Sequence, residues 1–481
     1  MKDGKIIFRD TGAILIVVGV ATFFVNIVSL IFGEYEGIKW MMATVATFIL
    51  VGGFFRLVGR GEKGEPKIKH AMVIAALSWF FISLISSIPF YFIEHMDFLS
   101  SFFESVAGWT GTGLTMITHE SGLTYTVQFW RTFTQWVGGV GVIVLTLIIL
   151  ARPGTGSFTL YRSEAREDKI RPSIMSTVKS IWWIFLLYTA IAIILLFVAG
   201  MPLWEAINHA MTGLSTGGFS VKDDSMASYG AVIQILLIPV MVAGAISFAA
   251  HYDLLNGKIK KFFKDAQTQA LLLLVFSGMV VLTLLNMDSY STFMQSFKYS
   301  AFQFASALTC TGFQTANIAS WAPSSKMILS FAMVVGGAAG STAGGIKLFR
   351  MILLAKGTGW RIRELFLPPN SSFSHKLGGK TLSDKEAMEE VNEAAIMSFM
   401  WMILLFVGII VLLLTTSGTL DNVIFEVCSA QGNVGLSTGI TSAGMSPAAK
   451  VMLIINMWVG RLEIIPILVF LRSIISGHSI F

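Results

Sequence analysis

Four short clusters of glycine, threonine and serine carry the residue types best suited to chemistry in this chain. With their leading segments they read FFESVAGWTGTGLT, INHAMTGLSTGGFS, FQFASALTCTGFQT and FEVCSAQGNVGLST. Aligned on the glycine that precedes Leu or Phe, they bring Gly113, Gly218, Gly312 and Gly435 into register. Ten residues upstream stand Phe103, Phe302 and Phe425, with Asn208 in the second copy; five upstream stand the small residues Gly108, Gly213, Ala307 and Ala430. A dehydrated alkali cation needs several oxygens in place of its water shell, and backbone carbonyls supply them without a full charge that would trap the ion. Aiming carbonyls at one axis requires backbone angles that glycine visits at little cost. Thr110, Gly111, Thr112 and Gly113 fit that task, as do Ser215, Thr216, Gly217 and Gly218. So do Thr309, Cys310, Thr311 and Gly312, and Gly432, Asn433, Val434 and Gly435. Close helix packing also uses small residues. Four such clusters, each after an apolar stretch too short to span, weigh toward a filter.

A second unusual stretch is VVGGAAGSTAGGIKLFR, with five glycines among the twelve residues Gly336 to Lys347. A phosphate-binding loop needs Gly-Lys-Ser/Thr in succession at a helix start. Here Ile346 separates Gly345 from Lys347 and no Ser or Thr follows, so that reading fails. A broken membrane helix fits better. Non-helical backbone at membrane depth is tolerated where protein buries it or where it lines a cavity. Gly336, Gly337, Gly340, Ser341, Thr342, Gly344, Gly345 and Lys347 would form a segment able to occupy such a cavity and move aside. Lys347 would tether the segment to a nearby acid or carbonyl, or reach the inner interface. Arg461 lies deep in the last apolar run, two residues before Glu463. A charge there costs about 2.5–3.5 kcal/mol on insertion scales and marks function by default. It would act on the pathway, pair with Glu463, or be held by carbonyls. His209, nine residues before Gly218, reads as structural.

The elements that must position these residues are membrane helices. Of 481 residues, 54% are apolar and 13% charged, with mean hydropathy +0.73. Soluble domains carry about 25% charged residues. Ten crossings are expected: Thr11–Phe32, Trp40–Val58, Ala71–Ile93, Val127–Leu150, Ile181–Ala199, Ala231–Ala250, Ala270–Met287, the interrupted Lys326–Ala355, Ala394–Leu414 and Ala448–Ser473. The first run is too long, and too soon followed by another, for a cleaved signal peptide. With both termini inside, the basic runs fall on inner segments, as the positive-inside rule requires. They include Arg56 to Lys69, Arg162 to Arg171, Lys258 to Lys264 and Arg361 to Lys385. Outer segments hold Glu34, Glu94, Glu104, Glu120, Glu205, Asp223, Asp421 and Glu426. Those acids would either concentrate cations at the outer mouth or simply solvate loops. Cys310 and Cys428, the two cysteines, imply neither a disulfide framework nor a metal cluster.

The clusters recur at intervals of roughly one hundred residues, which is a repeat signal. The expected fold is an all-α polytopic membrane protein: four pseudo-symmetric span–pore-loop–span repeats around a central pore, preceded by two extra transmembrane helices. The boundaries are 1–66 for the extra spans, 67–153, 154–256 and 257–360 for the first three repeats, and 361–481 for the fourth; the second span of the third repeat is broken over 326–355.

At this point the chain resembles the superfamily of Trk, Ktr and HKT potassium transporters. The resemblance rests on the four unequal repeats with one glycine each, on GGAAGSTAGGIK, and on NMWVGRLEIIPIL from Asn456 to Leu468. It covers essentially the whole chain. The two extra N-terminal spans are similar to the TrkH branch rather than the shorter KtrB branch. Sodium-selective plant relatives are similar but carry serine where Gly113 stands. The resemblance implies potassium bound at filter carbonyls as substrate, and an intramembrane gate at the glycine-rich stretch. It also implies an electrostatic barrier at Arg461, a homodimer, and control by cytosolic TrkA-like nucleotide-binding subunits. The long charged stretches Arg152–Lys179 and Lys356–Glu393 would contact those subunits or anionic lipid, or be plain linkers. No cofactor bound by the chain itself, no nucleic-acid partner and no enzyme activity are expected; His-Glu-x-x-His and Ser/His/Asp groupings are lacking. A prokaryotic plasma membrane suits the loop charges. The alternative is a secondary transporter for an organic solute, its site built from broken helices.

Overall fold

A computed structural model of the chain describes residues 2–62, 64, 66–150, 174–368, 375–377 and 380–475. The fold is helical almost throughout. Two N-terminal helices, Lys2–Phe23 and Tyr35–Val58, pack tightly against each other. A Cβ added at Gly12 would lie 2.5 Å from the Gly52 carbonyl oxygen, so small residues set the separation of this pair. Glu34 ties the hairpin to the rest, accepting from the backbone N–H of Tyr125 and Thr126 at 2.8 Å each.

Beyond this hairpin the order long helix, short helix, loop, further helix occurs four times. The long helices are Ile68–Phe92, with a kink after Ser86, then Ile174–Val198, Ala266–Leu285 and Asp384–Thr415. Their starts are chemically marked. Asp265 accepts from Thr268 N, and Ser383 forms a capping box with Glu386. The short helices are Phe98–Thr110, Leu203–Leu214, Phe293–Leu308 and Leu420–Gln431, of 13, 12, 16 and 12 residues. At ~1.5 Å per residue none reaches the ~30 Å of a hydrocarbon core.

The helices that follow the loops differ in kind. Tyr125–Leu150 is continuous over 26 residues. The run Ala231–Ala250, continuous in its hydrophobicity, bends by 106° between Ala231–Ala245 and Phe248–Leu255. Ala448–Ser473 likewise bends by 111° between Pro447–Leu462 and Ile464–Ser473. Hydropathy cannot register either break, because apolar residues continue on both sides. The first bend falls where Ser247 caps the new helix, accepting from Ala250 N at 3.2 Å. The second falls at Glu463, a non-glycine with φ +63°. The glycine-rich stretch separates Pro323–Val335 from Leu348–Leu365. Among the described residues six helices are long and apolar enough to cross a membrane, and the two sharply bent pairs would raise that to eight. Tyr125–Leu150 and the interrupted pair occupy the two remaining expected positions.

A small antiparallel hairpin, with His375 opposite Leu382, departs from the all-helical expectation. The stretch 152–173, where contact with a regulatory subunit or lipid was expected, lies outside the described residues, as do 369–374 and the last six positions. One large apolar cluster, including Phe103, Phe302 and Phe425, packs around the four short helices.

Candidate functional site

Just past each short helix, one residue after its end in the first copy and two in the others, the chain turns through the left-handed region. Gly111, Thr216, Cys310 and Asn433, each two positions before its aligned glycine, have φ of +67°, +52°, +55° and +52°. The aligned Gly218, Gly312 and Gly435 follow at +79°, +87° and +112°. Gly113 does not share this conformation. Three of the four turn residues carry a side chain where glycine would sit more easily, at a cost of about 1–2 kcal/mol each. Asn433 recovers part of that cost by donating to Thr112 Oγ1 at 3.0 Å and to the Met457 carbonyl at 2.8 Å.

The four loops meet in a closed ring of backbone. A Cβ on Gly113 would lie 2.9 Å from the Gly217 carbonyl oxygen, and one on Gly218 would lie 2.0 Å from that of Thr311. One on Gly312 would lie 2.1 Å from the Val434 carbonyl oxygen, and one on Gly435 would lie 2.2 Å from the Gly113 Cα. The contacts thus run from first loop to second, third, fourth and back to the first. Gly113 N donates to the Val434 carbonyl at 3.1 Å. Gln135 links two loops from behind, donating to Gly217 O at 2.7 Å and Thr112 O at 3.3 Å. Thr110 with Thr112, and Thr309 with Thr311, share hydroxyl hydrogen bonds of 2.9 and 2.8 Å. All four aligned glycines line one cavity of about 280 Å³, which Glu120, Arg131, Lys222 and Asp223 also border.

The glycine-rich stretch packs against the other side of the ring. A Cβ on Gly344 would lie 2.1 Å from the Gly432 carbonyl oxygen. Thr342 is the hub: its hydroxyl donates to Leu214 O at 3.1 Å and Gly244 O at 2.9 Å, and Thr216 Oγ1 donates to it at 3.0 Å. Gly336, Gly340 and Gly345 all take positive φ, at +70°, +72° and +78°. Ser341 Oγ caps back onto Ala338 O, and Gly337 O accepts from Leu348 N. Lys347 bonds the Ala343 carbonyl, so it closes the loop on itself.

Arg461 does not pair with Glu463. Its guanidinium donates to Thr342 O at 2.8 Å and to Gly138 O and Gly139 O at 2.9 Å each. Glu463 instead binds Arg350, on the helix beyond the glycine-rich stretch, at 2.7 Å. The bend at Glu463 turns its carboxylate away from its neighbour two residues back.

Linear order gives neither the depth nor the partners of several charged residues near the loops. Glu104 and Glu426, expected on outer segments, are fully buried. Glu104 pairs with the equally buried Arg131 at 2.9 Å, and Arg131 reaches across to Ser220 O at 2.8 Å. His209 is buried and bonds Ser220 Oγ at 2.9 Å, in keeping with a structural role. Glu120, in the turn beyond the first loop, lies 4.0 Å from Arg131, and burial pushes its carboxyl up to about 7 despite that cation. Asp223 moves the other way, held below the usual carboxylate range chiefly by the Ser121 backbone N–H. Position relative to the aligned glycine was the available signal for Glu104 and Glu426, since both lie nine residues upstream of theirs.

Residues 37–480 match the TrkH cation transport protein family. An uncharacterized cation transporter of Methanocaldococcus jannaschii is 34% identical, over 98% of this chain and 96% of that protein. The Trk system potassium uptake protein TrkH of Salmonella typhimurium is 30% identical, over 97% and 98%. The crystal structure of the potassium transporter TrkH from Vibrio parahaemolyticus matches with a TM-score of 0.85 at 27% identity, covering 97% of this chain and 98% of that one. The chain is therefore a polytopic membrane protein that belongs to the TrkH family of cation transport proteins.

Proposed function

We propose that this protein takes up potassium across the plasma membrane of a prokaryote through the ring formed at Gly113, Gly218, Gly312 and Gly435. The observation that carries this reading is the closure of the ring by backbone alone, with all four glycines lining one cavity. A ring of backbone carbonyls without a full charge would suit an alkali cation that must leave as readily as it binds. The relatives are named as cation and potassium transporters, which does not favour an organic solute as cargo.

In this reading, residues 67–153, 154–256, 257–360 and 361–481 act as four repeats about the path. The stretch from Gly336 to Lys347 is the gate, held under the ring by Thr342 and by Arg461. Arg461 adds a positive barrier where its guanidinium comes within about 3.9 Å of a Cβ position at Gly111. Both termini face the cytoplasm, two copies form the working unit, and cytosolic TrkA-like nucleotide-binding subunits control it.

The test is radioactive rubidium uptake by proteoliposomes holding the purified protein. Uptake above that of empty liposomes is expected, displaced by potassium and abolished or strongly reduced by Gly435→Ala, since a methyl there meets Gly113. Rubidium uptake no faster than in empty liposomes, from correctly folded protein, would overturn the reading.

A further inference from the structure

The residue nine positions before each aligned glycine differs in chemistry but not in what it touches. In the first short helix Glu104 accepts from Thr115 Oγ1 at 2.9 Å and from Met116 N at 2.8 Å. In the second, His209 bonds Ser220 Oγ at 2.9 Å. In the third, Gln303 Oε1 accepts from Thr315 N at 2.7 Å and from its hydroxyl at 3.0 Å. In the fourth, Glu426 accepts from Ser437 Oγ at 2.7 Å, Thr438 N at 3.0 Å and Thr441 N at 2.9 Å. All four side chains are fully buried. Each therefore reaches, from its own short helix, a residue two or three positions beyond its own glycine, and Glu426 reaches one six positions beyond as well.

We propose that Glu104, His209, Gln303 and Glu426 are positioning residues that set how rigidly each glycine loop is held, and thereby how well the ring prefers potassium over sodium. The proposal rests on the filter reading given above. A glycine loop has little stiffness of its own. Tying the residues just past the glycine to the helix just before it closes the loop into a short cycle, so the carbonyls between cannot follow a smaller ion inward. A buried polar group placed for packing alone would need some partner, but nothing would require the same partner region in four unlike sequences. The braces are also unequal. Carboxylates in the first and fourth loops accept charge-assisted bonds, which are roughly twice as strong as neutral ones. The second and third loops are held by a hydroxyl–imidazole bond and by one amide oxygen. Among the described residues Glu104 has Arg131 as counter-ion, whereas Glu426 is held by hydroxyls and backbone N–H groups and makes no ion pair.

The experiment measures, in proteoliposomes, the KM for rubidium and the inhibition constant of sodium for wild type, Glu426→Gln and Gln303→Met. Glutamine keeps the shape of Glu426 but presents an amide to donors it should accept from. Methionine removes the Gln303 acceptor without adding charge, and serves as the second variant if Glu426→Gln does not fold. Loss of folded protein lowers Vmax and leaves both constants unchanged, so their ratio isolates positioning. A several-fold fall in the sodium-to-rubidium ratio is expected in each folded variant. A folded variant with the wild-type ratio overturns the proposal, provided Gly435→Ala alters rubidium transport. If Gly435→Ala also behaves as wild type, it is the filter reading that has failed, and the proposal falls with it.

Discussion

Glu120 shows how much a single residue's setting matters. Its carboxyl sits at about 7 rather than the ordinary 4.5, first because burial disfavours the charge, with Glu104 and Asp223 adding repulsion and Arg131 opposing them. Between those two values the folded chain holds a proton that the unfolded chain has released. The group's contribution to stability is therefore complete below about pH 4.5 and is lost as pH rises through about 7, amounting to about 3 kcal/mol. Glu120→Gln stays neutral throughout. Its melting temperature should gain on wild type as pH is raised from about 5 to about 8. A difference that does not change over that interval would contradict the assignment. Thr216, Cys310 and Asn433 make a complementary point, since side chains occupy a left-handed turn that glycine fills in the first loop.

At the scale of elements, three of the four helices that follow the glycine loops are interrupted or bent, and the interruptions lie together. The glycine-rich stretch bonds the first bend through Ala338 N to Ala245 O at 2.9 Å and Phe248 N to Gly340 O at 3.0 Å. It meets the last helix through Arg461. Backbone freed from helical bonding finds partners in the neighbouring break, so burial costs little. In the gate reading, moving the segment aside would exchange these bonds for bonds to water. Deleting Gly337–Ala343 should raise rubidium flux in proteoliposomes. A decrease in protein that remains folded would count against the gate.

For the molecule as a whole, the ring has four unlike settings. Thr112 and Thr311 precede the aligned glycine in two loops, Gly217 and Val434 in the others, and the braces behind them differ in charge. Four identical loops would present equivalent oxygens to the ion; these do not. Preference for potassium over sodium should therefore be weaker than four identical loops would give. Flux ratios from the purified protein would decide, and a thousandfold preference would rule the argument out.

Hydropathy and composition were enough to establish a membrane protein, its long helices and the four glycine clusters, because hydrocarbon thickness and the scarcity of charge leave few other solutions. The Lys/Arg distribution and the alignment of Gly113, Gly218, Gly312 and Gly435 are likewise properties of the chain read along its length. The breaks at Ser247 and Glu463 were invisible, since hydropathy does not change across them. Nor could linear order reveal that Arg461 passes over Glu463 for three carbonyls, two of them more than 300 residues away. Glu104 and Glu426 looked like outer-loop acids because local sequence carries charge but not depth. Only the packing of four loops against one another decides which carboxylate is buried and which hydroxyls and backbone N–H groups it meets.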